Sequence, residues 1–278
     1  MSDLRGKTIF VTGSSRGIGR EIALRCARDG AQLVITGKTV AAHAKLPGTI
    51  LTVADEVEQA GGRALAIQLD VRDEQAIQAA VEQAAQHFGS IDVLVNNASA
   101  ISMTPTLETT PKRLDLMWEV NMRATFLMSQ ACIPYLKLAD NPHILTLSPP
   151  LNLDAKWFAS HLAYTISKYG MSLCTLGMAR EFAADGKMVK GIGVNCLWPR
   201  TTIATAAIEF NFPEAVLRAS RKPAIMADAA HAILTRDSRT CSGNFFIDED
   251  VLRVAGVSDF EQYAVSSGTP LFSDLFLG

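Results

Sequence analysis

The chain has 278 residues, 48 % of them hydrophobic and 19 % charged, which suits a folded protein with a large buried core and excludes a disordered chain. A formal net charge of −2, with lysine and arginine spread along the sequence, leaves no basic footprint for nucleic acid or an anionic membrane surface. No run approaches the roughly 18 apolar residues of a membrane helix, so an integral membrane protein is excluded as well.

In chain order, the first ten residues lead straight into a strand-like segment without the apolar stretch of a signal peptide, so a cytoplasmic location is expected. Short β-branched runs at 8–12, 33–36, 64–69, 93–96, 143–147, 191–197 and 244–247 predict strands, several of them apolar throughout and therefore buried on both faces. Between them, helical patterns fall at 18–29, 53–60, 74–88, 112–138 and 163–184, with Pro111 suited to a first helical turn. The alternation predicts a three-layer α/β Rossmann fold with a mostly parallel, seven-stranded, doubly wound sheet, formed by a single domain spanning 1–278. Ligands then sit at the carboxyl ends of the strands, and the irregular stretches 43–49, 149–160 and 201–222 are expected as loops over the site.

Five scattered cysteines (Cys26, Cys132, Cys174, Cys196 and Cys241), with no Cys-x-x-Cys pair, suggest neither a disulfide framework nor a metal site and fit a reducing compartment.

After the first strand comes Gly13-Ser14-Ser15-Arg16-Gly17-Ile18-Gly19, opening a helix. Glycines there permit positive φ and a close backbone approach, and the helix N-terminus offers N–H groups and a partial positive charge to a pyrophosphate. A dinucleotide cradle is expected from Gly13, Ser15, Arg16, Gly17, Ile18 and Gly19. An enzyme using NAD commonly places an acid about 20 residues past the glycines to bond the ribose hydroxyls. Here the stretch reads Thr36-Gly37-Lys38-Thr39. Lys38, with Arg16 as a second cation, suits the 2′-phosphate of NADP(H) instead.

Tyr164 is followed four residues later by Lys168, a spacing that puts both on one helix face. An ammonium beside a phenol is expected to stabilise the phenolate, making Tyr164 a usable acid or base while Lys168 also bonds the nicotinamide ribose.

Together these residues resemble the short-chain dehydrogenases/reductases over almost the whole chain, through the glycine turn, Asp70, Asn96-Asn97-Ala98, Asn121 and the Tyr164–Lys168 pair. Segments such as Ser148-Pro149-Pro150-Leu151-Asn152 and Gly243-Asn244-Phe245 are similar to a hydroxysteroid dehydrogenase-like branch of that family. The resemblance implies that Asp70 and Val71 border the adenine. It implies further that Asn97 and Ala98 fix the strand beneath the cofactor, and that Asn121 holds a water in a proton relay to Lys168. Pro199, Ile203 and Thr205 would contact the nicotinamide.

Three departures from the family pattern stand out: Ser99 replaces a glycine, Arg200 replaces the glycine after Pro199, and Ser148 lies further upstream of Tyr164 than the family's carbonyl-orienting serine. Ser148 is the candidate for that role, with Asn152 or Ser160 as substitutes. Met103, Trp157, Phe158, Trp198, Phe210 and Phe212 fall in loops expected around the substrate opening and suit a lipophilic steroid, fatty aldehyde or 3-oxoacyl compound. The expected function is an NADP(H)-dependent oxidoreductase, with no metal, working as a homodimer or homotetramer by the resemblance. The alternative is a catalytically weak NADP(H)-binding protein acting as a redox or lipid-metabolism sensor.

Overall fold

The computed structural model describes residues 3–41, 48–183 and 191–277. Each β-branched run becomes a strand: β1 (Thr8–Val11), β2 (Gln32–Gly37), β3 (Arg63–Gln68), β4 (Val93–Asn96), β5 (His143–Thr146), β6 (Gly193–Trp198) and β7 (Phe245–Ile247). They form one sheet in the order β3-β2-β1-β4-β5-β6-β7, every pair parallel. Ile9 pairs with Leu33 on one side and Val93 on the other. The chain therefore winds outward in both directions from β1 and β4, and a crevice opens at the carboxyl ends of those two strands.

Because successive side chains in a strand point to opposite faces, β1 feeds two cores. Ile9 and Val11 pack with Leu33, Ile35 and Val95 against Ile22 and Ala23 of α1 (Gly17–Ala27) and Ile225 and Ile233 of α10 (Ala224–Leu234). Phe10, Val34 and Leu94 pack against Ile77 and Val81 of α3 (Glu74–Phe88) and Met128 and Cys132 of α5 (Ala124–Leu136). This is the predicted three-layer arrangement.

Helix ends follow local chemistry. Thr49 and Thr52 close a reciprocal capping box that starts α2 (Ile50–Gln59) three residues earlier than the apolar period suggests. Asp73 caps α3 through the N–H groups of Gln75 and Ala76, and Gly89 ends it in the left-handed conformation at φ 85°.

The predicted helix at 112–138 is three pieces: α4 (Pro111–Met117), a π-helical turn (Trp118–Arg123) and α5. The predicted helix at 163–184 is α7 (Leu162–Glu181), with residue 184 outside the described residues. Loop 149–160 holds the short α6 (Lys156–Ala159), and loop 201–222 holds α8 (Ala206–Asn211) and α9 (Glu214–Arg218). Residues 43–47 of the third expected loop lie outside the described residues. α10 and α11 (Asp248–Val254) are additional helices. Among the described residues no helix is long and apolar enough to cross a membrane, and all five cysteines are free thiols.

Candidate active site

Between β1 and α1 the chain must turn sharply under β4, and glycine makes this possible. Gly13 and Gly17 hold φ of 65° and 59°, in the left-handed region. A Cβ on Gly13 would lie 2.9 Å from the Cα of Ala98, and one on Gly19 would lie 2.5 Å from Nδ2 of Asn97. The turn thus rests directly on the chain leaving β4. Nδ2 of Asn97 donates to the carbonyl oxygens of Thr12 (2.8 Å) and Gly13 (3.0 Å). In return, the N–H groups of Asn97 and Ala98 donate to the Thr12 hydroxyl at 2.9 and 3.0 Å. Thr12, which sequence reasoning passed over, is therefore the other half of the brace. Arg16 precedes α1 with no side-chain cap, so the first-turn N–H groups and the helix dipole remain for an anion.

The turn borders a cleft of about 730 Å³. Gly13, Ser15, Arg16, Gly17 and Ile18 form its floor, while Gly19 lies beneath as the packing contact. Lys38 lines it from the end of β2, Asp70 and Val71 from the end of β3, Asn97 and Ala98 from β4, and Thr205 from the far side. Arg16 donates to the Thr39 hydroxyl at 3.2 Å and the Gly48 carbonyl at 3.3 Å. Lys38 Nζ lies 3.6 Å from Asp70. The hydrogen bonds of Arg72 to Asp70, with the charge of Lys38 behind them, hold that carboxylate at a pKa of about 2. Asp70 is thus ionised but neutralised, and Arg16 and Lys38 place two cations at the same end of the cleft.

Ile18, Asn97, Ser99, Thr205 and Ala207 line both this cleft and a deeper cavity of about 170 Å³. The deeper cavity contains Tyr164 and Lys168 on α7, with Pro199 and Ile203 on the loop after β6. Tyr164 is 6 % exposed and Lys168 2 %. Nζ of Lys168 donates to the carbonyl oxygen of Leu147 at 2.6 Å and sits 5.2 Å from the centre of the Trp198 ring. Burial lowers the Lys168 ammonium to about 7, with Cys196 and Asp274 partly offsetting it. Burial likewise pushes the Tyr164 phenol above its ordinary value, and Asp274 pushes it further. The expected lowering of Tyr164 by its neighbour is therefore corrected: removal from water dominates, and each group favours its neutral form.

Two other expectations change. Asn121 sits in the π-helical turn, fully buried, and does not line the cavity. Its Oδ1 accepts from the Ala100 N–H at 2.7 Å, and its Nδ2 donates to the Ala100 carbonyl and the Ser167 hydroxyl, both at 2.9 Å. The side chain thus clasps the loop after β4 to α7, next to Lys168, with both of its N–H donors engaged. Ser148 is fully buried with its hydroxyl 3.0 Å from the Cys196 sulfur, behind the cavity wall. Of its substitutes, Asn152 is engaged by Tyr169 and Asp154, and Ser160 is exposed; neither lines the cavity. The residues with hydroxyls that do line it, besides Tyr164, are Ser99, Thr202, Thr205 and Ser273.

Trp198 and Phe212 line the deeper cavity, and Met103 and Phe210 line a neighbouring one of about 420 Å³. Trp157 and Phe158 instead pack on Phe276 and Tyr169, at ring separations of 5.7 and 5.6 Å. Asp274 also enters the deeper cavity, a contribution that nothing in its local sequence signals.

The family model for short chain dehydrogenase matches residues 7–212. The chain is 56 % identical over 274 residues to hydroxysteroid dehydrogenase-like protein 2 of Xenopus laevis, covering 99 % of this chain and 64 % of that relative's length. The crystal structure of a short chain dehydrogenase from Mycobacterium thermoresistibile superposes with a TM-score of 0.91 at 48 % identity, covering 99 % of this chain and 96 % of the other. A short chain dehydrogenase from Burkholderia cenocepacia J2315 in complex with NADP matches at 30 % identity and a TM-score of 0.74, covering 88 % of this chain and 97 % of that one. With the family model spanning most of the chain and these relatives matching nearly all of it, the chain belongs to the short-chain dehydrogenase/reductase family of oxidoreductases.

Proposed function

We propose that the protein is an NADP(H)-dependent oxidoreductase interconverting a carbonyl and an alcohol on a lipophilic substrate. The observation that carries this reading is the continuity of the two cavities: the residues shared between them join the glycine turn to Tyr164 and Lys168. A nicotinamide cofactor supplies hydride exchange when bound. The glycine floor and the α1 N-terminus take its pyrophosphate, and Gly13, where a Cβ would meet Ala98, lets the turn lie close against the chain leaving β4. Arg16 and Lys38 favour the additional phosphate of NADP(H), and the relative from Burkholderia cenocepacia J2315 was solved with NADP.

In the direction of reduction, Tyr164 gives its hydroxyl proton to the substrate oxygen, and in oxidation it takes that proton back. Its raised pKa keeps it protonated at neutral pH, as a donor requires. Lys168, when charged, lowers the cost of the phenolate that remains, and the Leu147 carbonyl fixes its position. Trp198, Phe212 and Met226 give the cavity apolar walls, which suit a steroid, a fatty aldehyde or a 3-oxoacyl group and exclude water from the reacting atoms. Asn121 keeps the loop after β4 and α7 at a fixed separation, and the domain spans the chain. Exposed apolar side chains on α4, α5 and α7, among them Leu114, Phe126, Ile166 and Leu173, provide a face for a homodimer or homotetramer.

The test is NADPH oxidation with a panel of lipophilic ketones and aldehydes. Tyr164→Phe is expected to lose about 100- to 10,000-fold in kcat. Equal turnover by the variant removes Tyr164 as the proton donor. A second reading, an NADP(H)-binding sensor, draws on the burial of Ser148, and NADPH binding with no turnover of any carbonyl is the outcome that selects it.

A further inference from the structure

Residues 272–276 form a strap along one side of the deeper cavity. Ser273 pairs antiparallel with Thr201. The Thr202 N–H donates to the Phe272 carbonyl at 3.0 Å, the Asp274 N–H to the Arg200 carbonyl at 3.1 Å, and the Trp198 indole to the Leu275 carbonyl at 3.0 Å. Phe276 anchors the strap: it is 1 % exposed and packs on Tyr169, Trp198 and Tyr164 at ring separations of 5.3, 5.8 and 6.3 Å. It does so with φ at 70°, a conformation a bulky side chain adopts only when its surroundings impose it. A strap held at this many points delivers its side chains to fixed positions, and the one it delivers beside Tyr164 and Lys168 is a carboxylate.

We propose that Asp274 is the counter-ion of Lys168 and a positioning residue for proton transfer at Tyr164. The inference rests on the oxidoreductase reading for its catalytic half only. Asp274 lines the same cavity as the pair, and its Oδ1 accepts the Leu275 N–H at 2.7 Å, which fixes the carboxyl group's orientation. The charged and titratable groups around it come from every neighbouring element. Tyr164 and Lys168 face it from α7, Cys196 from β6 by way of Lys168, and Asp248 from the start of α11. Behind Asp248 stand Arg221, paired with Glu249, and Arg200, whose N–H donates to Asp248 at 2.9 Å and whose guanidinium holds Asp250 at 2.7 Å. Among the described residues no side-chain carboxylate lies within 4.0 Å of the Lys168 ammonium, and Asp274 is the carboxylate that shares its cavity. The direction of coupling agrees: Asp274 raises both Lys168 and Tyr164, and Lys168 lowers Asp274, which burial holds near 7.

Near pH 7, where both groups titrate, an ionised Asp274 raises the charged fraction of Lys168 and helps keep Tyr164 protonated, the state in which the phenol can donate. Asp274→Asn keeps the Oδ1 acceptor and removes the charge. The midpoint of the Lys168 side chain, followed by its 13Cε resonance against pH in the full-length labelled protein, is expected to fall by about one unit. The alkaline limb of kcat/KM for carbonyl reduction is expected to move down with it, leaving about a fifth of the wild-type activity at pH 7 and recovering in more acid buffer. Asp274→Glu is expected to return the midpoint toward its original value. A Lys168 midpoint unchanged in Asp274→Asn overturns the inference, as does a kcat/KM profile lowered at every pH without a shift. The resonance requires no turnover. A wild type that reduces no carbonyl overturns the functional reading, while the Lys168 midpoint still decides the counter-ion.

Discussion

The Ser148 hydroxyl lies 3.0 Å from the sulfur of Cys196, and both residues are fully buried. Burial holds the Cys196 thiol up at about 11, so it stays protonated and the contact is between neutral groups. A serine sealed against a neighbouring strand cannot reach a substrate carbonyl without the sheet opening. Ser148→Ala is accordingly expected to leave kcat/KM within about threefold and to cost about 1 kcal/mol of stability, the ordinary value of one buried hydrogen bond. Urea unfolding and steady-state kinetics on the same preparation check both numbers. A loss of catalysis like that of Tyr164→Phe would return Ser148 to the site.

Lys168 makes the opposite trade. Its folded-state pKa of about 7 lies below the unfolded value near 10.4, so between these limits the unfolded chain binds more protons and stability rises with pH. The penalty is complete below about pH 7 and absent above the unfolded value. Lys168→Met removes the charge while keeping an unbranched stem, and it is expected to abolish turnover yet raise the melting temperature by several degrees at pH 7. That gain should fade as the pH approaches 10, leaving only the lost hydrogen bond to Leu147. Calorimetry of both proteins at pH 7 and pH 10 reads the sign directly.

At Gly13 two requirements meet: a φ of 65° and no room for a Cβ beside Ala98. Gly13→Ala is expected to cost about 2–4 kcal/mol, from the left-handed penalty and the displaced backbone together. On the proposed reading NADPH affinity should fall at least in step, because the displaced segment would bear the pyrophosphate. Chemical denaturation and NADPH fluorescence titration give the two quantities, and an unaltered affinity in a destabilised protein would separate the turn from the cofactor.

Lys38 is 64 % exposed at its side chain and lies 3.6 Å from Asp70. On the NADP(H) reading its contribution is to the ligand rather than to the fold. Lys38→Asp is expected to weaken NADPH by about ten- to a hundredfold, with little change in melting temperature. NADH should hold its affinity, so the ratio of the two dissociation constants is the diagnostic, and equal losses for both would remove the 2′-phosphate assignment.

The sheet was readable because each strand is a compact apolar run flanked by turn residues, so β1 at 8–11 and β4 at 93–96 stand out by pattern alone. α10 was not, since Ala224–Leu234 is apolar on nearly every side and lacks a polar stripe to mark its period. The location of the glycine turn and of Tyr164 with Lys168 followed from spacing. The sign of their electrostatics did not, because it depends on how deeply the fold buries them. Asn121 was expected to hold a water in a relay to Lys168, and only the π-helical turn shows its amide bonded to the backbone of Ala100 and to Ser167. Asp274 was invisible for a simpler reason: its partners lie far back in the chain, and only the pairing of Ser273 with Thr201 brings it home.

The strap also sets an order of events during synthesis. A nascent chain has all seven strands once Ile247 has emerged from the ribosome, yet residues 272–276 must still follow before Asp274 and Phe276 can seat. Until then the growing protein can own a finished sheet and glycine turn while the cavity around Tyr164 and Lys168 lacks one of its walls. Closure of the cavity thus depends on residues 272–276 rather than on the assembly of the sheet.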